Sequence, residues 1–179
     1  MHDIQADTHS LHGETLVPAI LEAARQADSV SGPAQKVVEA LDNWNYACPT
    51  GLDGTDPEEA GKVGDETEAT ESIGCAAFHV LVPHLTDAVF ADELKPLIEA
   101  DAAPSLYAIQ APLIYVFTDP DELQRGEAYF DDTTTEDITE TKSQIVAEAL
   151  DAAGQQLESL FDSSDPDDWP WGRSHTVTF

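Results

Sequence analysis

The stretch ATESIGCAAFHVLVPHLTDAVF, residues 69–90, decides the fold. Ile73, Ala76, Ala77, Val80, Leu81, Leu85, Ala88 and Val89 recur at spacings of three and four, which places them on one face of an α-helix. Pro83 lies inside and is expected to kink it. No β-branched alternation competes with this pattern, so the segment predicts a core helix with other helices packed around it.

Working outward, the same periodicity predicts further helices. Leu16, Ile20, Ala23, Ala24 and Ala27 place one over roughly 10–27, starting or bending near Pro18. Ser31 followed by Pro33 marks a second start, with Ala34, Val37, Val38, Leu41 and Trp44 as its apolar face. A short helix is expected from Asp92 through Leu94, Leu97 and Ile98, and another near 105–117, interrupted at Pro112, with Leu106, Ile109, Leu113, Val116 and Phe117. Thr133 with Glu136 reads as a capping box opening a helix through Leu160, whose face is Ile138, Ile145, Val146, Ala149, Leu150, Ala153, Leu157 and Leu160. Residues 48–67 have Pro, Gly and Asp without periodicity and read as a loop, long enough to be an insertion or a flap. Only Thr176–Phe179 favours a strand. The expectation is a single mainly α unit over 1–179 with little strand content.

Composition narrows the function classes. The chain has 179 residues, 36 Asp plus Glu against 7 Lys plus Arg, and a formal net charge of −29. Such a charge repels phosphate backbones and argues against nucleic acid as a partner. With 41% hydrophobic residues the chain can still bury a core. No uninterrupted apolar run approaches a membrane span, and Met1, His2 and Asp3 do not open a basic–apolar leader, so no membrane partner is expected. The acidic residues are dispersed rather than blocked, and molar salt would screen their repulsion, which points to a protein of a high-salt environment. Compartment stays open. Cys48 and Cys75 are 27 residues apart and match no metal spacing. Cys75 falls on the apolar stripe, so a buried thiol is expected, with a disulfide as the alternative for an exported protein.

Candidate chemistry is sparse. His9 and His12, with Asp7 as a third donor, form a weak metal pattern that lacks the His-Glu-x-x-His of zinc proteases. A solvated helix start is the competing reading. His79 and His84 are five apart and face different sides of the 69–90 helix; Glu71–Ser72 at its start suits capping. No nucleophile elbow, phosphate loop or dinucleotide fingerprint occurs. No metal, cofactor or catalytic residue is assigned from these residues alone.

The segment Asp168–Trp169–Pro170–Trp171–Gly172–Arg173–Ser174–His175–Thr176–Val177–Thr178–Phe179 is a different kind of signal. It resembles the Trp-x-Trp-Gly-x-x-His-x-x-x-Phe signature of the penicillin acylase (penicillin amidase) family, amidases of the N-terminal-nucleophile hydrolase superfamily. Ile4–Gln5–Ala6–Asp7 followed by Leu16–Leu21 resembles that family's Gln-x-Asp, Pro-x-x-Leu helix, and Val38–Glu39–Ala40–Leu41–Asp42–Asn43–Trp44–Asn45–Tyr46 its Leu-x-x-Trp-Asp stretch. Ser72–Phe78, Asp92–Glu93–Leu94 and Glu140–Thr141 follow in the family's order. The resemblance covers nearly all of 3–179.

It implies amide hydrolysis: an N-terminal serine hydroxyl attacks, its own α-amine accepts the proton, and water resolves the acyl-enzyme. Substrates implied are β-lactam side-chain amides or acyl-homoserine lactones. Here Met1 opens the sequence, no internal serine has the Gly-Ser-Asn context, and the family's oxyanion asparagine and calcium- or substrate-binding residues lie largely outside the matched segment. The expectation is therefore an interior portion of the β chain of an αββα hydrolase, inactive alone, with the remainder of the acylase as partner. Arg173 and His175 match signature positions and are read as structural. A helical interaction or scaffold domain derived from the family is the alternative. Either way, exposed apolar faces and self-association are expected, with Trp169, Trp171 and Phe179 contributing.

Overall fold

The computed structural model describes residues 8–53, 62–102, 104–135 and 138–174. The described residues form a helical assembly: α1 (Leu11–Gln26), α2 (Gly32–Asp42), a two-residue antiparallel hairpin of β1 (Leu52–Asp53) and β2 (Lys62–Val63), α3 (Glu66–Glu99), α4 (Leu106–Thr118), α5 (Lys142–Phe161) and the short α6 (Trp171–Ser174). The mainly α expectation holds. The hairpin pairs Leu52 with Val63 and Asp53 with Lys62, inside the region read as a loop. The strand expected at 176–179 lies outside the described residues.

Helix starts follow local chemistry. The hydroxyls of Ser10 and Ser31 accept from the N–H groups of Gly13 and Ala34, and Ser31 also reaches the Asp151 carboxylate on α5. α3 starts earlier than its periodicity predicts, because Asp65 accepts from the N–H groups of Thr67 and Glu68 and serves as the cap assigned to Glu71–Ser72. It also runs on past Asp92, so the two expected helices are one. All four helix-interior prolines, Pro18, Pro83, Pro96 and Pro112, lie on exposed faces and leave their helices continuous. There water can hydrate the carbonyl that each proline leaves without an N–H partner.

α5 starts at Lys142 rather than near Thr133. The Thr133 N–H and hydroxyl both go to Asp92, and Asp132 captures Thr134 in a side-chain turn, so this stretch is spent on loop bonds. The capping box is instead Thr141 with Gln144. Ile138, expected on the apolar face, is 59% exposed.

α3 and α5 lie against each other, α2 packs on both, and α1 closes over α5 and α4. The core joins Leu16, Val17 and Ile20 of α1 with Val37 and Leu41 of α2, Phe78, Leu81, Leu85 and Val89 of α3, and Ile145, Val146, Leu150 and Leu157 of α5. By length and composition the span Glu66–Leu97 could cross a membrane, a property that reading for uninterrupted runs misses. Its most apolar window is 67% buried within the protein, as suits the core helix of this assembly.

Candidate functional site

Four separated pieces of chain meet at one end of α3. Residues 8–10 pair with 46–48 through a His9–Ala47 bridge, with Ser10 N–H donating to the Tyr46 carbonyl (2.7 Å) and Cys48 N–H to that of Thr8 (3.1 Å). This places the segment after α2 as a strap beside the first turns of α3. Trp44, at 4% exposure, is its anchor. A Cβ at Gly13 would stand 2.6 Å from the Trp44 ring, and one at Gly74 would stand 2.4 Å from it, so only glycines let α1 and α3 approach the indole this closely. The indole N–H donates to the Ala47 carbonyl at 2.6 Å, and Phe78 and Tyr46 pack at ring-centroid distances of 5.3 and 5.5 Å.

The Trp-x-Trp-Gly segment docks on the same strap. Trp169 is fully buried, and its indole N–H donates to the Ser163 carbonyl at 2.9 Å. Ser72 is also fully buried. Its hydroxyl donates to the Thr50 carbonyl (2.9 Å) and accepts from the Trp171 N–H (2.6 Å), while Gly172 N–H donates to that same Thr50 carbonyl (2.8 Å). Gly51, at φ +70°, lets the chain turn directly over Ser72. One hydroxyl thus ties the strap, α3 and the tryptophan segment together. Both its lone-pair and proton capacities are directed to backbone, an arrangement that suits a joint rather than a nucleophile.

Cys48 and Cys75 form a disulfide, with Cα atoms 5.2 Å apart. The expected buried thiol is therefore replaced by the alternative, because the strap carries Cys48 onto the face of α3 that bears Cys75. His79, one turn beyond Cys75, stacks on the Trp171 ring at 4.6 Å. His84 meets Gln156 of α5 (2.6 Å), so the two histidines do face different sides.

The other sequence candidates fall elsewhere. His9 contacts Glu14 at 3.2 Å and lies edge-on to Tyr46; His12 is exposed; Asp7 lies outside the described residues. Among the described residues, the His, Cys, Asp and Glu groups close enough to share an ion are Cys48, Cys75 and His79. Their sulfur and nitrogen donors do not fit calcium, which takes six to eight oxygens. Arg173 pairs with Asp168 (3.6 Å) and donates to its carbonyl; His175 and Phe179 lie outside the described residues. Trp169 is not part of any exposed face. Among the described residues, an apolar groove of about 290 Å³ runs along α4, lined in part by Phe90, Ala111, Pro112, Tyr115, Leu123 and Tyr129, while Leu11, Ile138 and Leu160 are exposed elsewhere.

Far along α3, Asp92 and Glu93 form an acidic pair facing Arg125 and Thr133. Burial raises the Glu93 carboxyl to about 7, with its Asp92 neighbour adding to the rise, against the pull of Arg125 at 2.6 Å. Burial also acts to raise Asp92, but hydrogen bonds from Glu93 and from the Thr133 hydroxyl and N–H outweigh it and hold Asp92 at about 2. Near neutral pH the pair thus carries part of one proton. Lys142 is lowered by burial; its ammonium donates to the Phe117 carbonyl (3.0 Å) and sits over the Phe117 and Phe130 rings.

The fold and this aromatic joint define a mainly α unit whose tryptophan signature is used for architecture. The penicillin amidase family model matches residues 1–179, and the chain belongs to that family. No curated protein and no solved structure matches it.

Sequence reading missed the tie made by Ser72 and the close approaches at Gly51, Gly13 and Gly74. A glycine near a predicted helix face, or a serine at its start, carries no distinguishing signal until Trp44 and Trp171 are placed. The cysteine pair was visible, and only its geometry was not.

Proposed function

We propose that this chain is the helical interior portion of the β chain of a penicillin-acylase-like, N-terminal-nucleophile amidase, adapted to high salt, and that it supplies scaffold rather than the reacting groups. The observation that carries the reading is the use of the family's tryptophan signature. Trp169 is buried in the core and Trp171 and Gly172 are bound through backbone to Ser72 and Thr50, so the signature fastens one part of the fold to another. In the amidase reaction, the N-terminal serine and its amine perform acyl transfer, and oxyanion donors stabilise the tetrahedral intermediate. The contribution of this unit is to hold its neighbours rigidly in register, with the remainder of the acylase as partner and linear N-acyl compounds as substrates.

The test is hydrolysis of a chromogenic phenylacetyl anilide in molar KCl, on a sample shown by circular dichroism to be helical. The expected result is no turnover by this chain alone and turnover when it is co-expressed with the flanking acylase segments. Turnover by the chain alone that disappears on mutating one of its own residues would overturn the reading. The salt adaptation has its own readout. Screening lengths fall from about 10 Å at 0.1 M to about 3 Å at 1 M salt. The melting temperature is therefore expected to climb steeply over that range in KCl, and a flat profile would remove that part of the proposal.

A further inference from the structure

We propose that Cys48, Cys75 and His79 form a redox-gated site for a thiolate-preferring divalent ion such as Zn²⁺, closed by the disulfide when oxidised and opened by a thiol reductant. The two sulfurs and an imidazole nitrogen lie within 4.8 Å of one another. Cys75 and His79 stand four residues apart on α3, which is the register that brings two helix side chains to one ion. Cys48 arrives from the strap, held in place by its own N–H bond to Thr8 and by the turn at Gly51. The donors on zinc sit at about 2.3 Å for sulfur and 2.0–2.1 Å for nitrogen, so they need separations of roughly 3.3–3.8 Å. Reaching these requires the disulfide to be reduced, so that the two sulfurs can separate while the Cα atoms, 5.2 Å apart, stay near each other.

The donor set selects the metal. Two thiolates and an imidazole suit zinc and exclude the hard, oxygen-seeking cations. The Trp171 ring against His79 fixes the plane of the imidazole, as the groups around a metal-binding histidine commonly do. Cys75 is fully buried, Cys48 is partly so and His79 is exposed, giving the ion an approach from solvent. Among the described residues the site offers three donors, and zinc takes a fourth.

The chemistry balances with a dithiol as reductant. It gives two electrons and two protons to the disulfide, becoming a cyclic disulfide, and leaves two thiols. Zinc then displaces both thiol protons to solvent. In either state the strap stays fastened to α3, by a covalent bond or by the metal, so the Ser72–Thr50–Trp171 joint is held in both.

The experiment uses the full chain in molar KCl. Oxidised and dithiol-reduced samples are titrated with Zn²⁺ by calorimetry, and with Co²⁺ by absorption, where thiolate-to-cobalt charge transfer reports sulfur ligation. The expected result is one ion per reduced chain, no comparable binding to the oxidised chain, and a higher melting temperature for the reduced chain with Zn²⁺ than without. His79→Gln retains both cysteines and the disulfide, and is expected to weaken Zn²⁺ at least about tenfold in the reduced state. Equal affinity of wild type and His79→Gln, or equal binding by the oxidised chain, would overturn the proposal. If reduction alone unfolds the chain, Zn²⁺ supplied with the reductant is expected to preserve helicity in the wild type and not in the Cys48→Ser/Cys75→Ser variant. Loss of helicity in both would equally sink it.

Discussion

The two ends of α3 enclose their polar-tipped aromatic residues to different degrees. At its start, Trp44, Trp169 and Phe78 are buried, and each indole N–H has a carbonyl partner. Toward its far end, beside α4, Tyr115 is 56% exposed, and Tyr129 lies over an open groove with Arg125 against its ring. Burial of the first set is secured by glycines, a buried serine and a cross-link, which allow backbones to approach the rings closely. The second set is less enclosed: Phe117 and Phe130 are buried against each other there, but Tyr115 and Tyr129 are not, and residues 119–135 are short 3-10 helices and turns with polar bonds to Asp92 and Glu93. One end is a cross-linked joint; the other combines a buried Phe117–Phe130 contact with polar bonds and an open apolar groove.

The largest effect that would break this contrast is expected at Trp44. Trp44→Ala empties the space between α1 and α3 and should cost about 3–5 kcal/mol in denaturant unfolding. A cost below about 1 kcal/mol would mean that the joint is not the packed end. Next comes Ser72→Ala, which removes the acceptor of the part-buried Trp171 N–H and the donor to the Thr50 carbonyl and should cost about 1–3 kcal/mol. Ser72→Cys, nearly the same size, separates lost volume from lost hydrogen bonding.

The polar end is sharpened by pH. Glu93 holds its proton to about pH 7 in the folded chain against an ordinary value of 4.5, so the folded state binds more protons in that window and stability falls as pH rises through it. Asp92 works the other way: its value drops from 3.8 to about 2, so its contribution is present above pH 4 and is lost as pH falls toward 2. Glu93→Gln imitates the protonated acid. Its stability relative to wild type should improve by about 1–2 kcal/mol between pH 5 and pH 8, measured as paired melts. A constant difference across that range would show that Glu93 titrates normally. The smallest effect is expected at Tyr115→Ser, within about 0.5 kcal/mol, since the ring is mostly in water. A large loss there would show that the groove side is as tightly built as the joint.

The helices were legible because their signal is local. Ser31 and Pro33 mark the start of α2, and the apolar stripe of 73–89 is buried almost as its spacing predicts, since a period of 3.6 needs only neighbouring residues. Boundaries failed where polar side chains had competing partners. Thr133 and Glu136 read as a capping box, but Asp92, 41 positions away, takes Thr133, and the box forms eight residues later at Thr141. Pro112 read as an interruption, yet its exposed face leaves the helix unbroken. The tryptophan signature was legible as a family mark, whereas its attachment to Ser72 and Thr50 was not.

By itself the sequence determined the helical class, the apolar faces, the acidic surface and the family resemblance, all properties of composition and short-range order. Only the tertiary structure decided that Cys48 meets Cys75 and His79, that Ser72 is a buried tie rather than a cap, and that Trp169 is interior. Those outcomes depend on which distant segments share a small volume. Hydrogen-bond and packing energies act over a few ångströms in space and carry no trace of separation along the chain.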